Sequence, residues 1–241
     1  METPLERGFP EQQMSRDNED IIADLLIVGC GAAGASCALR AAQAGLSVLV
    51  LTNASDPMES NSDYAQGGIV ARPPGDTAED LARDIMAAGD GLCNEESVRL
   101  VAESVSEIVN SFLVQELGVE LTRDAEGNLD FTQEAAHSCR RIAHANDATG
   151  HAILIRLLAA VQANPNIRVI GEHSAADLIT VPHHSVDPGA IYEDIECLGA
   201  YVLDQRSGRI RRFFARHPVL ATGGVGQLYR HTTNPRVARA D

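Results

Sequence analysis

Asp24-Leu25-Leu26-Ile27-Val28-Gly29-Cys30-Gly31-Ala32-Ala33-Gly34 is the stretch on which the fold turns. Its first half is almost wholly apolar, as a strand buried on both faces of a parallel sheet must be, and glycines at G-x-G-x-x-G spacing follow at once. Residues 35–44 are alanine-rich and helix-favouring, Gly45 stands where a helix ends, and residues 47–51 form a second apolar run. The order is strand, glycine turn, helix, strand. In that setting the glycines let the backbone turn tightly and approach a pyrophosphate, which rests on the N–H groups and positive dipole end of the helix.

The second strand of such a unit usually ends in an acid that holds the adenosine ribose. Here it ends Leu51-Thr52-Asn53, with no acid, which weakens an NAD reading, and with no arginine adjacent in sequence to suggest a 2′-phosphate. More phosphate-compatible backbone lies in the glycine-containing loop at residues 61–68 and in Ala221-Thr222-Gly223-Gly224, a combination that flavin domains use.

The rest of the chain continues an α/β pattern. Residues 58–75 read as a long loop that wraps a ligand. Thr77-Ala78-Glu79-Asp80 resembles a capping box opening a helix to about Ala88. Asn94 caps another helix, with Val98, Val101, Val105, Ile108 and Phe112 as its apolar face, running to Gly118. Residues 119–149 look irregular, 151–162 helical and 167–170 extended. Strands at 174–181, 198–204 and 210–215, with a turn at Ser207-Gly208, form a meander before a last apolar strand at 218–222.

The fold class expected is α/β: a Rossmann-like dinucleotide-binding domain with a parallel central sheet and an inserted β-meander. Residues 1–22 read as a disordered acidic extension and 23–241 as one domain, incomplete at its C-terminal end, where the chain stops at Asp241 without a terminal helix.

With 241 residues, 44% of them hydrophobic, a core needs no disulfide or metal staple. The first twenty residues hold six acids and two arginines and no apolar core, unlike a secretory signal, so a cytoplasmic location is expected. The chain contains nineteen arginines and no lysine, which excludes Schiff-base, pyridoxal phosphate and Walker chemistry. Net charge is −15, but residues 206–241 hold eight arginines against one acid. The bulk surface should repel nucleic acid, and Arg209, Arg211, Arg212 and Arg216 read as the solvated face of a strand. Five cysteines without a C-x-x-C pair and scattered histidines indicate neither a disulfide framework nor a metal site.

Residues 28–34 (VGCGAAG), 61–68 (NSDYAQGG), 137–150 (HSCRRIAHANDATG) and 220–234 (LATGGVGQLYRHTTN) together resemble the L-aspartate oxidase family, flavoproteins related to the succinate dehydrogenase and fumarate reductase flavoprotein subunits. The likeness runs from about Asp24 to Asp241. It implies FAD as cofactor and oxidation of L-aspartate to iminoaspartate in NAD (quinolinate) biosynthesis. Oxygen or fumarate would be the electron acceptor and quinolinate synthase a candidate partner; neither membrane nor nucleic acid is implied.

The resemblance also implies roles for particular residues. Gly29, Gly31, Ala32, Ala33 and Gly34 would cradle the pyrophosphate, and Thr52, Asn53 and Ala176 would lie near the adenosine. Asn61, Ser62, Asp63, Tyr64, Ala65, Gln66, Gly67 and Gly68 would approach the ribityl chain and isoalloxazine, and Thr222, Gly223, Gly224 and Asp241 would complete the FAD site. Ser62-Asp63-Tyr64 occupy the place where the dehydrogenases carry a flavin-linking histidine, so the FAD is expected to be non-covalent. Asn53 and Ala240 depart from a lysine and a glycine usual in the family.

Glu134 matches an acid that orients the substrate ammonium group, a physical basis for preferring aspartate to a plain diacid. His137, Arg140, Arg141 and His144 need no catalytic role. The family's catalytic base and carboxylate clamps lie beyond residue 241, so little turnover is expected of this chain alone. Rival readings are a fumarate reductase-like or succinate dehydrogenase-like flavoprotein, a non-catalytic FAD-binding module, and a remnant with open strand edges.

Overall fold

The structure is a computed structural model that describes residues 20–239; residues 1–19 of the expected extension, Ala240 and Asp241 lie outside the described residues. Along the chain come β1 (Ile21–Val28), α1 (Ala32–Gln43), β2 (Val48–Leu51), β3 (Ile69–Val70), α2 (Ala78–Ala88) and α3 (Glu95–Glu107). They are followed by β4 (Phe131–Thr132), β5 (Ile142–Ala143), α4 (Thr149–Ala163), β6 (Ile167–Ile170), β7 (His173–Val181), β8 (Glu196–Asp204) and β9 (Arg209–Leu220). These elements form two compact units, one holding the chain up to Asn61 together with the chain from Leu157 onward, the other Ser62–Arg156.

The first unit is built on a six-stranded sheet in the order β6-β2-β1-β9-β8-β7. Its β6, β2, β1 and β9 are parallel, and β8 and β7 continue it as an antiparallel wing. The expected α/β class with a parallel sheet and a meander is thus borne out, the meander being an extension of the same sheet. The apolar runs follow from burial on both faces: Leu26, Val28, Leu49, Leu51, Ala200, Val202, Phe213 and Ala215 share one core cluster. The alternating Leu25, Ile27, Val48 and Val50 are buried as well. Helix α1 lies against β1 and β2 with Ala35, Ala38, Leu39 and Ala42 buried, and small side chains there permit close approach. Gly45, at φ +84°, takes the left-handed turn that ends α1.

Several expectations are corrected. Strand β1 begins at Ile21, where the acidic extension was expected to run to residue 22; Ile21 and Ile22 pair with Phe213 and Phe214 of β9. The strands read at 210–215 and 218–222 are one strand, despite Pro218. Pro218 sits beyond the stretch of β9 that β8 pairs, where β1 alone is the neighbour, so a missing donor is tolerated as at an edge. Arg212 is not solvated: it is buried and makes a two-pronged pair with Asp20 at 3.0 and 3.2 Å.

In the second unit the Thr77 side chain accepts from Asp80 N at 3.1 Å and Asn94 accepts from Ser97 N at 2.9 Å, so both expected caps open their helices. The buried face of α3 is shifted from the expected one. Ala102 and Val109 are buried where Val101 and Ile108 were expected, and those two are 53% and 45% exposed. Both faces keep helical spacing, so packing rather than periodicity selects between them; from Ile108 to Glu116 the helix widens to π-winding, closed by Leu117 N donating to Phe112 O at 3.0 Å. The stretch expected to be irregular contains β4 and β5, which join β3 in a small antiparallel sheet ordered β3-β5-β4.

Phe213 is fully buried in the main cluster. Phe213→Ala should therefore lower unfolding free energy by about 3–5 kcal/mol, measured by urea denaturation.

Candidate dinucleotide site

Strands β2 and β9 flank β1, so the carboxyl end of β1 is the point where the chain's strand order reverses, the usual position of a dinucleotide in such sheets. Gly29, at φ +109°, follows β1 directly; a Cβ on it would lie 2.2 Å from Ala221 O. Only glycine lets the ends of β1 and β9 come this close, where Ala221 N donates to Val28 O at 2.8 Å. Gly34 is equally constrained, its hypothetical Cβ falling 2.0 Å from Gly29 O. Gly31 is the N-cap of α1, with no capping side chain, and the first turn, which Ala32 and Ala33 begin, carries no acid of its own to oppose an anion at the positive helix end. Thr222 follows on β9, and Gly223 and Gly224 face open space.

At the end of β2, Thr52 is buried and exchanges backbone hydrogen bonds with the β6–β7 corner, donating to Ile170 O and accepting from His173 N, each at 3.0 Å. Asn53 donates through Nδ2 to Val237 O at 3.3 Å, and its carbonyl accepts from Gln205 Nε2 at 3.0 Å. Beside it opens a hollow of about 490 Å³ whose lining includes Ala176, Ser174, Gln205, Arg236 and Arg239. Ala176 was anticipated there; the other four were not, because they are brought to Asn53 from distant parts of the chain. Glycine-relieved strand ends, a helix whose first turn holds no acid and an adjoining hollow fit the adenosine-pyrophosphate portion of a dinucleotide.

Asn61 closes the first run of this unit, and Ser62 to Gly68 belong to the second. There the loop is fastened to the start of α4. Gly150 N donates to Ala65 O at 2.8 Å, and Thr149 Oγ1 donates to Gly67 O at 3.0 Å. Asp63 pairs with His151 Nδ1 at 2.7 Å. A side chain on Gly150 would collide with Ser62 O, its Cβ lying 2.0 Å away. Tyr64 and Gln66 are exposed along this loop. Glu134 is exposed too, with Oε1 3.3 Å from where a Gly67 Cβ would be.

The segment bearing Glu134 and His137 is anchored by Arg141, which is fully buried and pairs with Asp76 at 2.9 Å and Asp84 at 2.5 Å. Asp84 also accepts from Ser138 N at 2.7 Å and Ser138 Oγ at 2.8 Å. The Ser138 backbone N–H, with the Ser138 hydroxyl and the Arg141 guanidinium, holds the Asp84 carboxyl below its ordinary range against the opposing effect of burial. Arg140 donates to Phe131 O and pairs with Asp130 at 3.5 Å, and His144 lies 3.6 Å from the same carboxylate. These partners account for Arg140 and Arg141 structurally. Burial pushes the Cys30 thiol, inside the glycine turn, up to about 11, so it stays a protonated, unreactive thiol. Among the described residues no cluster of three or more His, Cys, Asp or Glu could hold a metal, and no helix is long and apolar enough to cross a membrane.

Fold and strand-end geometry together define a dinucleotide-binding domain. The chain belongs to the FAD binding domain family, which it matches over residues 24–241. It is 41% identical to an L-aspartate oxidase of Halobacterium salinarum over 218 residues, 90% of this chain and 41% of that protein. It is 40% identical to an L-aspartate oxidase of Pseudomonas aeruginosa, covering 88% of this chain and 39% of that one. Among solved structures, an E. coli quinol fumarate reductase superposes with a TM-score of 0.79 at 26% identity, covering 91% of this chain and 36% of the other. The chain spans about two fifths of the length of the curated relatives it matches.

Gly34→Ala should cost about 1–3 kcal/mol of stability or more, because the added methyl meets backbone rather than a movable side chain; thermal denaturation measures it. Asp84 has a folded-state pKa below its unfolded one, so its contribution is complete above about pH 4 and is lost as pH falls through the folded value. Urea unfolding of wild type and Asp84→Asn should show a stability gap at pH 7 that narrows progressively below pH 4.

Proposed function

We propose that this chain is the FAD-binding portion of an L-aspartate oxidase, a flavoprotein oxidising L-aspartate to iminoaspartate in the NAD (quinolinate) biosynthesis pathway. The observation that carries the reading is about 40% identity to L-aspartate oxidases across nine tenths of the chain. When bound, FAD supplies the acceptor for the hydride equivalent. The chain's own residues bind and orient. Gly29, Gly31 and Gly34, with the amides opening α1, hold the pyrophosphate; Thr52, Asn53 and Ala176 flank the adenosine; Thr222, Gly223 and Gly224 form the opposite wall. Residues 61–68, fastened through Ala65, Gly67 and Asp63, support the flavin end without a covalent link. Glu134 receives the substrate ammonium, a contact a plain dicarboxylate lacks, and so favours an amino acid. Oxygen or fumarate accepts the electrons, the protein works in the cytoplasm, and quinolinate synthase is the candidate recipient of the product.

The similarity to quinol fumarate reductase supports a second reading, a succinate- or fumarate-handling flavoprotein. Two measurements separate and test these readings. Wild-type chain mixed with FAD should retain flavin absorbance through gel filtration, and Gly31→Val, at a backbone φ of −70° open to any residue, should lose the flavin with an unchanged melting temperature. In the flavin-loaded protein L-aspartate should perturb the flavin spectrum at lower concentration than succinate, and Glu134→Gln should remove that preference by about tenfold or more. An equal response to both ligands in wild type supports the second reading.

A further inference from the structure

We propose that Arg236 and Arg239 are cofactor-binding residues that hold the anionic adenosine-phosphate half of the dinucleotide, a role that rests on the FAD site proposed above. The need for such residues is electrostatic. Up to Gln205 the chain carries eleven arginines against 33 acids, a field that repels a dinucleotide's pyrophosphate. The glycine turn offers only the partial positive charge of a helix end, about half an elementary charge. Strand β2 is followed by the neutral Thr52 and Asn53, so the end of that strand supplies no formal charge of its own.

The tertiary fold brings the charge in from elsewhere. Arg236 and Arg239 line the hollow beside Asn53, and among the described residues lining it there is no carboxylate. The turn that carries them is braced rather than loose. Asn53 Nδ2 donates to Val237 O at 3.3 Å, and Gln227 Nε2 donates to the carbonyls of Asn234 and Pro235, each at 2.9 Å. Gln227 N donates to Ala238 O at 3.0 Å, and Pro235 and Ala238 are buried. Gln205, which also lines the hollow, bridges Asn53 O and Ser174 Oγ, at 3.0 and 2.9 Å. The hollow therefore combines neutral amides suited to ribose hydroxyls with two guanidinium groups suited to phosphate oxygens. Both arginines are exposed, so their contribution must weaken with salt.

The test measures FAD affinity of the 241-residue chain by quenching of flavin fluorescence, from low to high ionic strength, in wild type, Arg236→Gln, Arg239→Gln and the double variant. Each single variant should raise the dissociation constant about tenfold at low salt, and the double variant should lose most of the salt dependence. ADP should compete with FAD on wild type and poorly on the double variant. Arg209→Gln, at the exposed start of β9, makes the same change in net charge as either single variant and should leave affinity as it was. Unchanged affinity in the double variant, or an equal loss in Arg209→Gln, overturns the role of the arginines while leaving the FAD site standing, provided Gly31→Val still abolishes binding. Failure of the wild-type chain to bind FAD overturns the site itself, and the arginine role with it.

Discussion

The approach of β1 to β9 is the constraint on which the first unit depends. A long parallel register joins them from Ile21 against Phe213 to Val28 against Leu220. At its end the two backbones come close enough that Gly29 has no room for a Cβ. That contact puts the glycine turn, the start of α1 and the Thr222-Gly223-Gly224 segment at one edge of the sheet. The same ladder fixes β9, and β9 fixes β8 and β7, so the meander that contributes Ser174 and Ala176 is held in place by the strand pairing that creates the glycine turn.

The second unit solves a different problem. It has little sheet, and its loop from Thr132 to Arg141 is organised by charge: a fully buried guanidinium shared between Asp76 and Asp84, with Asp84 also receiving Ser138. A buried pair of this kind returns little net stability relative to apolar packing, but losing one partner is costly, so it acts as a constraint on geometry. Glu134 is exposed on the segment that this cluster holds, and the loop at 62–68 is tied to the start of α4 by Thr149, Gly150 and His151. Exposed side chains borne on braced backbone are what a ligand-contacting surface requires.

Much of this was legible in the chain. β1, α1 and β2 followed from an apolar run, a glycine turn and an alanine-rich segment, because a strand buried on both faces admits hardly any other composition. Thr77 and Asn94 announced their helices through cap chemistry that is local. Periodicity was less decisive on α3, where apolar residues occupy more than one face. The expected set and the buried set Val98, Ala102, Val105, Val109 and Phe112 both keep i, i+3, i+4 spacing, so only packing against neighbouring elements decided between Val101 and Ala102 or Ile108 and Val109. Arg212 looked solvated because alternation along β9 implies an outward face, and its burial depends on Asp20, more than 190 residues earlier in the chain.

The amino-acid sequence by itself determined the βαβ unit, the glycine turn and the kind of ligand they take, since those rest on neighbours along the chain and on backbone freedom at single positions. It also determined the absence of an acid at the end of β2. Only the tertiary structure decided what stands there instead. Asn53, Ser174, Gln205 and the Arg236–Arg239 turn are scattered over most of the chain, and they meet because the β6–β7 corner carries the start of β7 to the end of β2, where His173 N donates to Thr52 O, while Gln205 bonds Asn53 and Ser174 and Asn53 holds Val237. Contacts between residues so far apart carry no local pattern to read, and charge placement around the hollow is for that reason a property of the fold.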